Sequence, residues 1–362
     1  MINYMLNPDL LSKRQLLILK YISAFNVLTP SKLISLVSES IDSTISQMTL
    51  SRDLKPLIED DLIERLGKGP AVKYQFSSKG SILAPIDLNA YFETETDLRN
   101  INERFNFDLF QQLKNISIFS ENELKHLNQL DQEFKKQKKE LSPLLLKKEF
   151  ERVTIEISWK SSAIEGNTYT LLETETLLQE GIQAKGKKAE EAQMILNHKI
   201  ALDFLRSQLQ IGFELNVTSI EKIHSLLTTQ SSVSKNLRKT LVGFTGTKYR
   251  PLENQFQIKE ALENTCHLIN IQKNCFAKSL LAIALISYIQ PFEDGNKRCG
   301  RIIGNSILLE SNSFPLSFRS VDTSHYKKAI LLFYEKNNLS ALKKIFIEQS
   351  EFSVKNYFRS SN

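Results

Sequence analysis

The chain has little of what marks an extracellular or membrane protein. Its 362 residues include only three cysteines, Cys266, Cys275 and Cys299, and no two of them form a CxxC pair. That excludes a disulfide framework or a cysteine-built zinc site as the organising device, and it fits a reducing cytoplasm. The N-terminus lacks the apolar core of a secretory leader. The longest apolar run, Leu280 to Ile289, is shorter than the about 20 residues that cross a bilayer, so it predicts a buried helix and no membrane contact. Proline and glycine are sparse, 9 and 12 residues, and most of the chain carries the apolar spacing of helices. The expected fold is mainly α. No internal repeat is visible. A strong excess of one charge is also missing: a net +6 is compatible with nucleotide or nucleic acid but identifies neither.

Hydrophobic residues at 41% and charged residues at 24% describe a globular protein, and the length allows two or three domains. The first eighty residues stand apart. A helix is expected from Lys13 to about Ser23, burying Leu16, Leu17, Leu19 and Ile22. A second begins at Thr29-Pro30, an N-cap followed by proline in the first helical position. A third covers roughly Ser46 to Asp60, with Leu50, Leu54, Leu57 and Ile58 on one face. Then LIERLGKGPAVKYQFS alternates like two strands around Gly67-Lys68-Gly69. Three helices and a hairpin are the order of a winged helix-turn-helix. The stretch Met48 to Gly69 resembles the recognition helix and wing of bacterial winged-helix regulators. In that reading Gln47, Thr49, Ser51, Arg52 and Lys55 lie on the exposed part of the third helix and Lys68 on the wing, where polar groups reach base edges and cations reach phosphates of double-stranded DNA. Dimerisation or partner docking is the alternative use, and Pro70 and the acidic Glu59-Asp60-Asp61 cluster do not help the DNA reading.

From Ile86 to Asn100 the pattern weakens, as in a linker, and Glu121 to Lys148 is charged and helical. Its KKQKKE run reads as a solvated helix face. These breaks divide the chain into residues 1–85, a connecting helical segment 86–150, and a third region 151–362.

The third region holds the densest chemistry. QPFEDGNKRCGR, Gln290 to Arg301, follows the apolar helix and leads into another. A loop entering a helix presents free N–H groups and the positive end of the helix dipole, which suits phosphate. Gly295 lets an anion approach the backbone. Arg298 and Arg301, three apart, share a face and can clamp it. Asp294 offers a carboxylate to a hard cation such as Mg2+. An aspartate N-cap beside two surface arginines is the plainer alternative for each feature taken singly.

The stretch resembles the signature of Fic (Fido) domains, HPFx(D/E)GN(G/K)RxxR. Eleven of twelve positions fit, and the departure is Gln290, where the family has histidine. SSAIEGN, Ser161 to Asn167, is similar to the family's inhibitory motif (S/T)xxxE(G/N), with Ser161 and Glu165 one helical turn apart. GFTGTKYRPL at 243–252, with Thr247, Lys248 and Tyr249 at its centre, resembles the flap hairpin that holds a target by strand pairing. The resemblance covers roughly residues 85 to 362. It implies AMP transfer from ATP to a hydroxyl of a target protein. It assigns Mg2+ to Asp294, the anion hole to Gly295, Asn296 and Lys297, pyrophosphate stabilisation to Arg298, and the terminal phosphate to Arg301. Phe292 becomes the loop's core anchor. Glu165, with Ser161 and Gly166 around it, becomes an inhibitor that takes Arg301 from the phosphate. Family members often form dimers.

Gln290 sits where the family's general base removes a proton. An amide has hydrogen-bonding capacity but no basic site near neutral pH. General-base catalysis contributes typically about 10²–10⁴-fold, so the expectation is nucleotide binding with impaired transfer. Three origins fit the glutamine: a nucleotide-sensing pseudoenzyme, an enzyme of altered chemistry, or an engineered knockout. Among the other histidines, His126, His198, His224, His267 and His325, only His325 is a candidate replacement base. His198 reads as a packing residue and Cys299 as a buried filler. A non-catalytic, nucleotide-responsive DNA-binding regulator is the second functional reading.

Overall fold

A computed structural model describes residues 11–208 and 214–359. The first ten residues, where the absence of a leader was read, lie outside that description. The chain opens with α1 (Lys13–Phe25), β1 (Val27–Leu28), α2 (Pro30–Ile41), α3 (Gln47–Glu59), β2 (Ile63–Leu66) and β3 (Lys73–Phe76). The cap of α2 behaves as the sequence predicts. Thr29 Oγ accepts from Lys32 N with Pro30 at the first helical position, and Ser46 accepts from Thr49 N. β2 and β3 pair antiparallel with Arg65 opposite Tyr74, and a 3-10 turn at Gly69–Ala71 joins them. The two-residue β1, which the alternation did not reveal, completes a sheet ordered β1-β3-β2. Leu19, Ile22, Leu33, Val37, Leu50, Leu54 and Leu57 form a core that belongs to residues 11–84. Leu16 and Ile58, expected inside, are exposed.

Thirteen further helices follow among the described residues: α4 (Ser78–Leu83), α5 (Leu88–Glu93), α6 (Asp108–Lys114), α7 (Glu121–Glu140), α8 (Pro143–Ile164), α9 (Leu171–Glu180), α10 (Ala189–Gln208), α11 (Val217–Leu227), α12 (Gln255–Asn270), α13 (Cys275–Ile289), α14 (Asn296–Glu310), α15 (Thr323–Lys336) and α16 (Ser340–Asn356). The charged stretch 121–148 is two helices, not one. Ser142 caps and Pro143 occupies the first helical position, so a new helix starts there. The expected linker is not loose. It contains α5 and a 3-10 turn at Thr96–Leu98, and buried Arg99 pairs with Glu335 of α15 at 2.9 Å.

A larger core gathers apolar residues from Ile82 to Phe358 around α13, which is buried on all sides. A helix apolar all round has no water-facing stripe and belongs at the centre. α14 packs closely along it. A Cβ on Gly304 would lie 2.8 Å from Ile283 Cγ1, so this helix pair requires glycine at its contact. This rigid hairpin of helices carries the candidate site at its tip.

Candidate functional site

The tip is shaped by two residues in the left-handed region. Gln290 closes α13 at φ 51°, and Gly295 opens α14 at φ 81°. The second suits glycine, because other residues adopt this conformation at a cost of about 1–2 kcal/mol. Between them Phe292 is fully buried and stacks on His224 with 3.6 Å between ring centres. Burying such a ring contributes about 1.5–3 kcal/mol, which anchors the loop. His224 Nε2 donates to the Asp294 carbonyl at 2.9 Å. Burial pulls the His224 pKa down to about 4, so the ring is neutral. Asn296 braces the loop from within: its Oδ1 accepts from Phe292 N, and its Nδ2 donates to the Phe292 carbonyl, each at 2.8 Å.

Gln290 belongs to this brace. Its Oε1 accepts from Asn296 Nδ2 at 2.9 Å. Its Nε2 donates to the Ser287 carbonyl at 2.5 Å and to the Tyr334 hydroxyl at 3.1 Å. The buried Arg238 donates Nε to the Gln290 carbonyl at 2.5 Å, and its backbone N–H meets the Pro291 carbonyl at 2.9 Å. Arg238 has carbonyl partners rather than a carboxylate, and burial lowers its pKa. Every polar atom of the Gln290 side chain is thus engaged.

The arginines come next. Arg298 Nη2 contacts Asp294 Oδ2 at 2.6 Å, while the Asp294 side chain is largely exposed. Arg301 is fully buried in α14. Its Nε donates to Ser161 Oγ at 3.0 Å, and its Nη2 donates to the Ser161 carbonyl and to Glu165 Oε1, both at 2.9 Å. Glu165 Oε2 takes Lys297 Nζ at 3.0 Å. Burial would raise the Glu165 pKa, but Arg301 and Lys297 outweigh it and hold the carboxyl at about 2. The structure therefore brings together Ser161, Glu165, Lys297 and Arg301, from α8 and α14. Glu165 is the residue that caps α8, and Gly166 follows at φ 101°. Arg298 Nε and Arg301 Nη1 are buried without a hydrogen-bond partner. A buried donor left unpaired costs about 1–3 kcal/mol, so two such donors at one helix start favour an anionic ligand.

Other expectations fare differently. His325 is exposed on the first turn of α15, and its ring makes no hydrogen bond, so the histidine against the loop is His224. His198 does more than pack: it contacts Ser161 at 2.9 Å. The 243–252 segment forms no hairpin. Arg250 instead bridges in parallel to Arg104, with its N–H on the Glu103 carbonyl at 2.8 Å. Tyr249 is buried, and its hydroxyl donates to the Tyr288 carbonyl, because aromatic stacking on Tyr288 outcompetes exposure. Lys248 reaches the Asp97 carbonyl and Glu103, and Thr247 Oγ accepts from Tyr249 N. Far from this site, Gln47, Ser51, Arg52 and Lys55 are exposed on α3, as is Lys68 in the turn. Thr49 is half-buried and pairs with Ser46, and Lys55 lies 3.8 Å from Glu59. Among the described residues no group of three or more acidic, histidine or cysteine ligands forms a metal cluster, and no helix is long and apolar enough to cross a membrane.

The loop, both arginines and the α13–α14 hairpin fall inside one family match. Residues 214–308 match the Fic/DOC family. The chain is 26% identical over 202 residues to protein adenylyltransferase fic-1 of Caenorhabditis elegans, which is 54% of this chain and 39% of that protein. It is 25% identical over 179 residues to protein adenylyltransferase Fic of Drosophila grimshawi, 46% of this chain and 35% of that one. The chain thus spans well under half the length of these curated relatives. In fold, it matches a C. elegans Fic-1 fragment with TM-score 0.55 at 19% identity, covering 65% of this chain and 70% of that one. A Fic domain containing signaling protein from Bacteroides thetaiotaomicron matches with TM-score 0.52 at 19% identity, over 66% of this chain and 100% of that one. The Fic/DOC match includes α11, which supplies His224, and excludes Ser161 and Glu165, which reach the domain from α8.

Proposed function

We propose that this chain binds adenine nucleotide at the α13–α14 loop, as a protein adenylyltransferase-type site restrained by Glu165 and deprived of a general base at Gln290. The buried guanidinium of Arg301, shared between Ser161 and Glu165 with Nη1 unpaired, carries the reading. The relatives' names supply the reaction class. ATP phosphates would take the first-turn N–H groups at Gly295, Asn296 and Lys297, the Lys297 ammonium, and the Arg298 and Arg301 guanidiniums. Lys297 and Arg301 become available when Glu165 leaves them. Asn296 serves through its backbone, because its side chain is committed to Phe292 and Gln290. Asp294, the exposed carboxylate beside the loop, suits Mg2+, which uses one or two carboxylates together with substrate phosphates. When bound, the ion would neutralise phosphate charge.

Transfer joins a target hydroxyl oxygen to the α-phosphorus, breaks its bond to pyrophosphate and releases the hydroxyl proton. Gln290 cannot accept that proton. Positioning and charge stabilisation remain, and these supply much of the rate in phosphoryl-type transfer. The test uses ATP labelled on the α-phosphate with Mg2+, Glu165→Gly, and Glu165→Gly with Gln290→His. Label is expected on protein only with histidine. Equal labelling by the glutamine form would overturn the base assignment, and absence of ATP binding by Glu165→Gly would overturn the site.

A second reading draws on the N-terminal unit. Its order α1-β1-α2-α3-β2-β3, with Arg52 and Lys55 exposed on α3 and Lys68 in the turn, supports a winged helix-turn-helix that binds DNA and responds to nucleotide. Duplex affinity that falls with salt, and falls further in Arg52→Ala with Lys68→Ala, is its expected result. Salt-independent or absent binding would leave the module to partner docking.

A further inference from the structure

Three buried side chains on three helices form a chain of hydrogen bonds that ends at Arg301. His198 lies on α10, Ser161 on α8 and Arg301 on α14, and all three are within 1% of fully buried. His198 Nδ1 is 2.9 Å from the Met194 carbonyl, with Ser162 Oγ a longer neighbour at 3.4 Å. A carbonyl only accepts, so the proton sits on Nδ1 and Nε2 is an acceptor. Nε2 lies 2.9 Å from Ser161 Oγ. The serine therefore donates its hydrogen to His198, and its oxygen accepts Arg301 Nε–H at 3.0 Å.

This bond has a local competitor. A helical serine or threonine commonly donates to the carbonyl four residues back. Ser158 does so to Thr154 at 2.7 Å, and Thr154 to Phe150 at 2.8 Å, both on α8. Ser161 does not follow them. We propose that His198 is the positioning residue of the arginine site: by accepting the Ser161 hydroxyl, it keeps the serine oxygen on Arg301 Nε and fixes the plane of the guanidinium. Burial first, and then the nearby charge of Arg298, pulls its pKa to about 3, which keeps the ring neutral and Nε2 an acceptor.

The arrangement gives Ser161 a role that Glu165 does not share. Ser161 holds Arg301 through its hydroxyl and its carbonyl, whereas Glu165 holds it through one oxygen. When Glu165 withdraws, the serine contacts still aim the guanidinium. His198 therefore matters most once the inhibitory carboxylate is gone. For its affinity arm this inference rests on the nucleotide reading above.

The experiment measures ATP and AMP affinity for His198→Leu, His198→Gln and Ser161→Ala, each alone and with Glu165→Gly. With Glu165→Gly, His198→Leu and Ser161→Ala should weaken ATP by about tenfold and leave AMP unchanged, since a hydrogen bond to a charged group is lost. His198→Gln keeps an acceptor and should recover most of that loss. With Glu165 present, the same changes should alter ATP affinity far less. Equal losses for ATP and AMP, or the same loss with and without Glu165, would overturn the assignment. A second measurement needs no nucleotide: the Arg301 Nε–H signal, in protein labelled with nitrogen-15 in arginine, should be protected from exchange in the parent and His198→Gln and lost in His198→Leu. If it persists in His198→Leu, His198 does not position Arg301. If Glu165→Gly binds neither nucleotide while this signal behaves as expected, the nucleotide reading fails and the positioning role stands.

Discussion

Glu165 is a single carboxylate shared by two cations of the candidate site. It occupies two cations, Arg301 at 2.9 Å and Lys297 at 3.0 Å. Its pKa is depressed from 4.5 to about 2, so its contribution to stability is present above the ordinary value and is lost only as pH falls through the folded one. Between about pH 5 and pH 8 the carboxylate stays ionised. The ATP-affinity gain of Glu165→Gly is therefore expected to be flat over that window, measured by titration calorimetry. A gain that shrinks toward the acid end would show that Glu165 titrates there and is less tightly paired. Arg301→Ala should weaken ATP far more than AMP, and should also lower stability by about 3–5 kcal/mol, because removing one partner leaves a buried charge uncompensated. Denaturant unfolding reads the second effect, and an unchanged midpoint would mean that Glu165 finds enough compensation in Lys297.

At the scale of elements, the α13–α14 hairpin carries the loop, and its close contact is the testable feature. Gly304→Ala places a methyl against Ile283 Cγ1 and Ser279 Oγ. Overpacking of this kind costs about 1–3 kcal/mol. Because the closest approach is to Ile283, Gly304→Ala combined with Ile283→Ala should destabilise less than the sum of the two alone. Strict additivity would place the strain elsewhere. These helices were readable from sequence because their signals are local: ten consecutive mainly apolar residues for α13, and a glycine, an amide and two arginines for the start of α14. The cap of α2 was readable for the same reason. The meeting of Ser161 and Glu165 with Arg301 was legible only through family resemblance, since 136 residues separate Glu165 from Arg301. His224 under Phe292, Arg238 on the Gln290 carbonyl and Tyr334 beside its amide had no local signal. Each is a contact made only after the helices assemble. The flap hairpin was expected from resemblance alone, and here the segment's backbone meets residues 103–104 while Tyr249 turns inward.

At the scale of the whole molecule, the C-terminal end of α15 joins several parts. Glu335 there accepts from Tyr91 at 2.7 Å and from Arg99 at 2.9 Å, and Arg99 also donates to the Gly246 carbonyl in the flap segment. The Glu335 carbonyl accepts from Asn102 N at 2.8 Å, and Asn337 Oδ1 takes the side chains of Asn102 and Asn106. Immediately beyond, buried Asn338 donates to the carbonyls of Ser81 and Ala84, at 3.1 and 2.9 Å, while Leu339 N meets the Ile82 carbonyl at 2.7 Å. The end of α4 is thus capped by residues more than 250 positions away. Two hydrophobic clusters meet there, one covering Leu11 to Ala84 and one running from Ile82 to Phe358. Any influence of the N-terminal unit on the α13–α14 loop has a physical route through this joint to Arg99 and the Gly246 segment. Asn338→Leu leaves the Ser81 and Ala84 carbonyls without that partner, at a cost of about 1–3 kcal/mol. The loss falls on the joint rather than on either core. Hydrogen exchange should therefore rise across Ser78–Leu88, with α13 and α14 unchanged, and the N-terminal unit should melt ahead of the rest. A single cooperative transition with unaltered exchange at α4 would mean that apolar contact alone holds the two units together. In that case the polar cap at Asn338 would be a consequence of their packing and not its cause.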